Sequence, residues 1–123
     1  MPNTRSPTGW YYCSYLLRLT LAGSPSAQDP EARFLSYENT VLIRADNSLE
    51  AYDKTLRIAR ENETSYTNEH RQDVQWKLVG ITDILPIYEA LEDGAEIAFT
   101  SWQPRKLKNL QKWVLPRERF AES

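Results

Sequence analysis

The chain has 123 residues, of which 41% are hydrophobic and 26% charged, and its formal net charge at pH 7 is −2. These values are typical of one globular domain and exclude a collagen-like or wholly disordered chain. The slight acidity also excludes a global attraction to nucleic acid or to anionic membranes, because that attraction needs an excess of Lys and Arg.

Thiol and imidazole groups are too scarce for most site chemistries. Cys13 is the single cysteine and His70 the single histidine, so neither an internal disulfide nor a metal site of several nitrogen or sulfur ligands can be assembled. No apolar run reaches the roughly 20 residues of a membrane-spanning helix, and no signal-like segment begins the chain. We therefore expect a soluble cytoplasmic protein that carries no cofactor.

The first third of the chain predicts two strands. Residues 1–9 contain two prolines and no apolar periodicity, which indicates a disordered lead-in. Apolar side chains then recur at every second residue over 10–21, as in a half-buried strand. After the turn-rich segment 24–30, β-branched residues within 34–45 predict a second strand.

A helix is predicted to begin at Asn47. Asn47 and Glu50 form a capping-box pattern, in which each side chain satisfies a free backbone N–H of the first turn. The apolar side of the helical wheel, which we expect to face the sheet, comprises Leu49, Ala51, Tyr52, Thr55, Leu56, Ile58 and Ala59.

The remainder of the domain predicts a loop and two more strands. Residues 62–71 are polar and without a period, whereas 74–85 begin with strict alternation and continue as an apolar run. Asp93–Gly94 is a tight-turn signal, and a final hairpin strand through 97–102 is expected after it. The sequence thus predicts a single α+β domain over residues 10–103, with β-β-α-β-β order, an antiparallel or mixed sheet, and one main helix on one face.

The last residues differ from the body in charge. Residues 104–123 contain six basic and two acidic side chains, a net charge of +4, while the other residues carry −6. Leu107, Leu110, Trp113 and Val114 recur at helical spacing, which predicts a short basic amphipathic helix. Such a helix needs a surface to bury against, and the body, a partner protein, nucleic acid and lipid all remain open.

Candidate binding residues come from a polar loop and from the aromatic and basic side chains. Carboxylate and amide groups in the loop Glu61–Asn68, followed by Trp76, could form a cup for a small ligand. Cys13 lies in mid-strand on the apolar face, where an inert buried thiol is expected. The candidate ligand- or partner-binding residues are Glu38, Glu63, Tyr66, Asn68, Trp76, Trp102, Lys108, Lys112 and Trp113.

Five separated runs carry a resemblance to a known family. They are Trp10-Tyr11, Glu38 to Asp46, Glu61 to Asn68, Trp76 to Ile81 and Glu92-Asp93-Gly94. In this order they resemble the bacterial domain-of-unknown-function family 4288 over residues 10–102. The resemblance implies the domain but no activity, substrate or catalytic residue. The segment 24–30 and the basic extension after Pro104 depart from the family pattern.

Three functions are compatible with these features. The first is a non-enzymatic protein-binding module, of the immunity or regulatory type, that caps a partner protein, because large aromatic side chains anchor interfaces. The second is a small-molecule binder or enzyme that uses the Glu61–Asn68 loop and Trp76. The third is a nucleic-acid accessory that binds through the basic extension.

Overall fold

The computed structural model describes residues 5–121 as one sheet with a helix packed on it. The strands are β1 (Trp10–Leu21), β2 (Ser36–Arg44), β3 (Ser65–Thr67) and β4 (Asp73–Pro86), and the helices are α1 (Ser48–Glu61) and α2 (Leu107–Gln111). Two short 3-10 turns lie at Pro25–Gln28 and Arg117–Phe120.

β1 is a central strand of an antiparallel sheet with the order β2-β1-β4-β3. Cys13 of β1 lies opposite Val41 of β2 and Ile84 of β4. Because directly paired residues project to the same face, these three side chains share the face on which α1 packs. The α+β class and the single main helix are therefore confirmed.

The pairing of β1 with β4 is interrupted by two bulges. The register shifts once between Ser14 and Tyr15 and again between Leu16 and Leu17, so that Thr82 and Val79 of β4 have no partner residue in β1. An extra residue bends its strand and increases the local twist. The long strand β4 can therefore follow a curled sheet while Trp76, Leu78, Ile81 and Ile84 stay on the helix face.

The N-terminus of α1 forms one of the two hydrogen bonds of the predicted capping box. The Asn47 side-chain oxygen accepts a hydrogen bond from the Glu50 backbone N–H at 2.9 Å, and Glu50 forms an ion pair with Lys54 at 3.3 Å. Asn62, at the other end, donates its backbone N–H to carbonyls of the last turn. The helix thus begins and ends at residues that satisfy its free backbone groups.

Small residues, rather than large ones, bring α1 against the sheet. Ala51, Thr55 and Ala59 recur every fourth position and are fully buried, so the backbone of the helix approaches β1 closely. Leu49 and Tyr52 were predicted to face the sheet but are exposed. They lie at the margin of the apolar side, where the curled sheet no longer covers the helix.

The core has two neighbouring clusters on the helix face of the sheet. One is built around Tyr11, Cys13 and Ile43, and the other around Tyr15 and Leu17. Val41 and Ile58 pack against both clusters and join them into one core.

The predicted final strand through 97–102 is wrong. This segment has no regular secondary structure, and β4 is followed by an irregular stretch that extends to Lys106. The fourth strand of the sheet is instead β3. It lies within the segment predicted to be only a loop and pairs with residues 73–75 of β4. β3 is a short strand at the solvent-exposed edge of the sheet, and its residues are polar. It therefore lacks the alternation of apolar and polar residues by which a strand is predicted.

Two segments outside the regular elements are fixed by hydrogen bonds. Ser6 and Thr8, in the stretch where the sequence predicted a disordered lead-in, both donate their hydroxyls to the Ile87 carbonyl, at 2.8 and 2.7 Å. Residues 1–4 of that stretch lie outside the described residues. Arg18 donates to the Ala27 carbonyl and stacks on Phe34, which holds the predicted turn-rich segment against the sheet.

The C-terminal extension is less helical than its pattern predicts. α2 has five residues, Leu107–Gln111, and every described residue from 101 to 121 is exposed. The described part of the extension therefore buries none of its apolar side chains fully against the body.

Candidate protein-docking groove

A concave surface lies between the C-terminal half of β4 and the irregular segment after it. This groove has a volume of about 540 Å³ and an apolar lining that includes Leu85, Tyr88, Ile97 and Phe99. Concave apolar surfaces with a few polar groups are the usual form of a binding site. We refer to this feature as the β4 groove.

A buried anchor creates the β4 groove. Pro86 cannot donate a ladder hydrogen bond, and the next residue, Ile87, is 1% exposed and donates its N–H to the Trp10 carbonyl at 3.0 Å. Gly94, with φ of 86°, takes a left-handed conformation that suits glycine. The chain therefore leaves the end of β4, turns and runs back along it.

The charge of the β4 groove is entirely negative. Asp83, Glu89 and Glu96 line it together with the apolar side chains, and no Lys, Arg or His is among its lining residues. The Glu89 Oε2 also accepts a hydrogen bond from the Glu96 backbone N–H at 3.3 Å, which ties the two arms of the irregular segment together. The groove thus combines negatively charged carboxylates with an apolar surface.

Part of the sheet face opposite α1 continues the β4 groove. Tyr12 of β1 lies directly between Leu42 of β2 and Leu85 of β4, so the three side chains share the face away from the helix. Leu42 is exposed and the other two are half-buried. An apolar strip therefore crosses three strands and ends in the groove.

The polar loop predicted as a small-ligand cup is engaged in the fold. Glu63 accepts the Leu78 backbone N–H at 3.0 Å. The Asn68 side-chain oxygen accepts the backbone N–H groups of His70 and Gln72, each at 2.9 Å. The Asn68 contacts shape the β3–β4 turn, and the Glu63 contact joins the segment before β3 to the middle of β4.

The other predicted residues of the body do not converge on one site. Trp76 is half-buried on the helix face and stacks on Tyr37, with ring centroids 5.0 Å apart. Tyr66 is exposed on β3 at the sheet edge. Glu38 lies opposite Leu16, on the face away from α1. Glu38 and Trp76 therefore point to opposite faces of the sheet.

Two of the predicted residues near the C-terminus, Trp102 and Trp113, form a cluster with Arg105. Trp102 and Trp113 pack with ring centroids 5.1 Å apart, and the Arg105 guanidinium lies 5.3 Å from each ring. Lys108 and Lys112 are exposed. We call Trp102, Arg105 and Trp113 the aromatic clip, because they connect the start of the extension to the end of α2.

The described residues offer little to covalent or metal chemistry. Cys13 is fully buried, and burial raises the pKa of its thiol, although a side-chain hydrogen bond with Thr55 acts in the opposite direction. Among residues 5–121 no three or more His, Cys, Asp or Glu side chains are grouped so that they could hold a metal ion. No helix in this part of the chain is long and apolar enough to cross a membrane.

The sequence did not predict the β4 groove, because residues 97–102 were expected to form a hairpin strand. A usable signal was present, since acidic and large apolar residues are interspersed between Asp83 and Phe99 without one basic residue. A hairpin strand would have placed those apolar residues against the sheet. The structure instead leaves Phe99 75% exposed.

The fold and the groove define a small α+β domain with a four-stranded antiparallel sheet, one packed helix and an acidic, partly apolar groove. The family model described as a domain of unknown function (DUF4288) matches residues 10–99. The chain belongs to this family, as the five sequence runs indicated. No curated protein and no solved structure matches the chain.

Proposed function

We propose that this protein is a protein-binding module whose β4 groove holds a basic segment with apolar side chains, contributed by another polypeptide. One observation carries the proposal: the groove is lined by exposed large apolar side chains, and all of its charged side chains are acidic. Its role is to cap or regulate the protein to which that segment belongs. We expect this binding to take place in the bacterial cytoplasm.

The apolar side chains supply the driving force. Tyr88 and Phe99 are 64% and 75% exposed although they line a concave surface. Removing apolar surface from water contributes roughly 25 cal/mol per Å², and exposed apolar patches edged by polar residues are typical of interaction sites. A partner that fills the groove would cover both rings.

The acidic side chains supply the selectivity. Asp83, Glu89 and Glu96 are exposed, so they can attract a cationic segment before contact and reject an acidic one. No basic side chain lines the groove to offset their field. A Lys- or Arg-bearing apolar segment therefore fits better than a neutral or acidic one.

A non-enzymatic role is favoured over the small-ligand alternative. The loop on which that alternative depends uses Glu63 and Asn68 for backbone hydrogen bonds. The thiol of Cys13 is buried, and burial disfavours the thiolate that nucleophilic catalysis needs.

The test uses the full chain and two labelled synthetic peptides. In the first peptide lysine and leucine recur at helical spacing, and in the second each lysine is replaced by glutamate. Fluorescence anisotropy should show binding of the lysine peptide only. The groove variant Asp83→Lys/Glu96→Lys should weaken that binding by more than about tenfold, because each like-charge contact now repels the peptide.

The matched control is Asp53→Lys/Glu61→Lys, which changes the net charge equally on exposed positions of α1. Its affinity for the lysine peptide should stay close to that of the unmodified chain. Equal weakening by both variants would show a nonspecific charge effect and refute the groove as the binding site. Equal binding of the two peptides would refute the proposed selectivity.

A further inference from the structure

We propose that the segment that occupies the β4 groove is the C-terminal extension of a second copy of this chain, so that two copies exchange extensions. This inference rests on the proposed function, because it assigns an occupant to the same groove. The extension has the required chemistry and the structure leaves it uncovered.

The extension complements the groove in charge and in apolar content. Residues 104–123 carry a net charge of +4, opposite in sign to the three carboxylates of the groove. Leu107 and Val114 are 68% and 72% exposed, so they resemble the groove in having large apolar surfaces open to water. Binding of the extension in the groove would therefore pair opposite charges and cover apolar side chains on both.

The described part of the extension does not occupy the groove of its own chain, because none of residues 102–121 lines it. Ser101 still lines the groove, but Gln103 precedes a proline and is therefore restricted to extended backbone. Lys106 is extended as well, with ψ of 141°. The aromatic clip then fixes α2 beside Trp102, and the extension leaves the groove uncovered.

Exchange between two copies satisfies both surfaces at once. In a two-fold dimer each chain gives one extension and receives one, so the same contact is made twice and the assembly is closed. A groove of about 540 Å³ admits a few large side chains rather than a whole helix. We therefore expect side chains such as Leu107 and Val114 to act as anchors while lysines face the carboxylates.

Sedimentation velocity of the full chain over a range of concentrations tests the assembly. The unmodified chain should convert from monomer to dimer as its concentration rises. Two variants should raise the dimer dissociation constant by more than about tenfold: Lys108→Glu/Lys112→Glu in the extension and Asp83→Lys/Glu96→Lys in the groove. Arg57→Glu/Arg60→Glu, on the exposed side of α1, should leave it unchanged.

Mixing the extension variant with the groove variant gives the decisive measurement. In the mixed dimer the two carboxylates introduced by Lys108→Glu/Lys112→Glu, which lower the net charge of the extension from +4 to 0, face the two ammonium groups introduced by Asp83→Lys/Glu96→Lys. The unmodified extension faces the unmodified acidic groove, so both contacts are attractive. Each variant alone should stay monomeric and the mixture should form dimers. This recovery also shows that both variants are folded.

The outcomes separate this inference from the proposed function. A chain that stays monomeric at all concentrations yet binds the lysine peptide in its groove keeps the proposed function and refutes the exchange. A dimer that neither variant weakens uses another interface and also refutes the exchange. Dimers from the mixture, with monomers from each variant alone, support it.

Discussion

Trp102, just before the extension, and Trp113, eleven positions later, pack ring to ring, with their centroids 5.1 Å apart and their planes inclined by 46°. Arg105 lies over both rings, so one guanidinium supports two cation–π contacts at exposed positions, each of the kind that contributes about 0.5–1 kcal/mol. The clip is a local structure with no support from the core.

The clip should therefore be separable from the stability of the domain. Trp113→Ala should speed hydrogen exchange of the α2 amides, because a helix of five residues does not persist alone. The free energy of unfolding of the monomer should change by less than about 0.5 kcal/mol, since Trp113 is exposed. Chemical denaturation at low protein concentration measures this, and a large loss of stability would show that the clip supports the body.

The close approach of α1 to the sheet predicts a strong dependence on side-chain size. Ala59→Leu should destabilise the fold by about 1–3 kcal/mol, because Ala59 is fully buried and the added atoms have no room. Leu49→Ala, at an exposed position of the same helix, should cost less than about 0.5 kcal/mol. Urea midpoints for the two variants check this, and equal midpoints would contradict the assigned helix face.

Glu63 should contribute to stability rather than to ligand binding. Glu63→Ala removes the acceptor of the Leu78 N–H and should cost about 0.5–1.5 kcal/mol, the usual net contribution of one hydrogen bond. Glu38→Ala should leave stability nearly unchanged, because Glu38 is exposed. Thermal denaturation of both variants distinguishes the two roles, and an unchanged Glu63→Ala midpoint would return Glu63 to the candidates for ligand binding.

Cys13 should be unreactive in the folded protein and should make stability depend on alkaline pH. Its pKa is raised in the folded state by burial, so the folded form disfavours the thiolate. This contribution is complete below the unfolded pKa and is lost as pH rises through the folded pKa.

Cys13→Ala should therefore reduce the alkaline loss of stability relative to the unmodified chain. Urea titrations at a series of pH values above the ordinary thiol pKa measure the difference. A thiol reagent should label Cys13 only after denaturation. Rapid labelling of the native chain would show that the strand face opens.

The parts of the fold that the sequence predicted are those with strong local signals. The alternation of β1 and the Asn47 cap of α1 depend on near neighbours in the chain. The strand formed as expected, and Asn47 caps the helix by accepting the Glu50 N–H. The outer limit of the α1 apolar side depends on how far the sheet curls, which local periodicity does not contain. Leu49 and Tyr52 were therefore placed on the wrong side.

The candidate site was less predictable because it depends on a strand that does not form. Ile97 and Phe99 alternate as strand residues do, yet β3 pairs with β4 only at residues 73–75 and the later segment makes no ladder. The same residues instead line a groove with Asp83. Alternation of apolar and polar residues indicates which side chains would lie on the same face of a strand. It does not indicate whether a second strand is available for pairing.

The central place of β1 also affects the order in which the protein can fold during synthesis. β1 pairs with β2 soon after both leave the ribosome, but its other edge pairs with β4, whose last residue is Pro86. Until then the first hairpin has an unpaired edge and an uncovered apolar face, which are features of aggregation-prone intermediates. Slow translation of residues 45–86 would prolong that exposure, so codon usage in this stretch should influence the yield of folded protein.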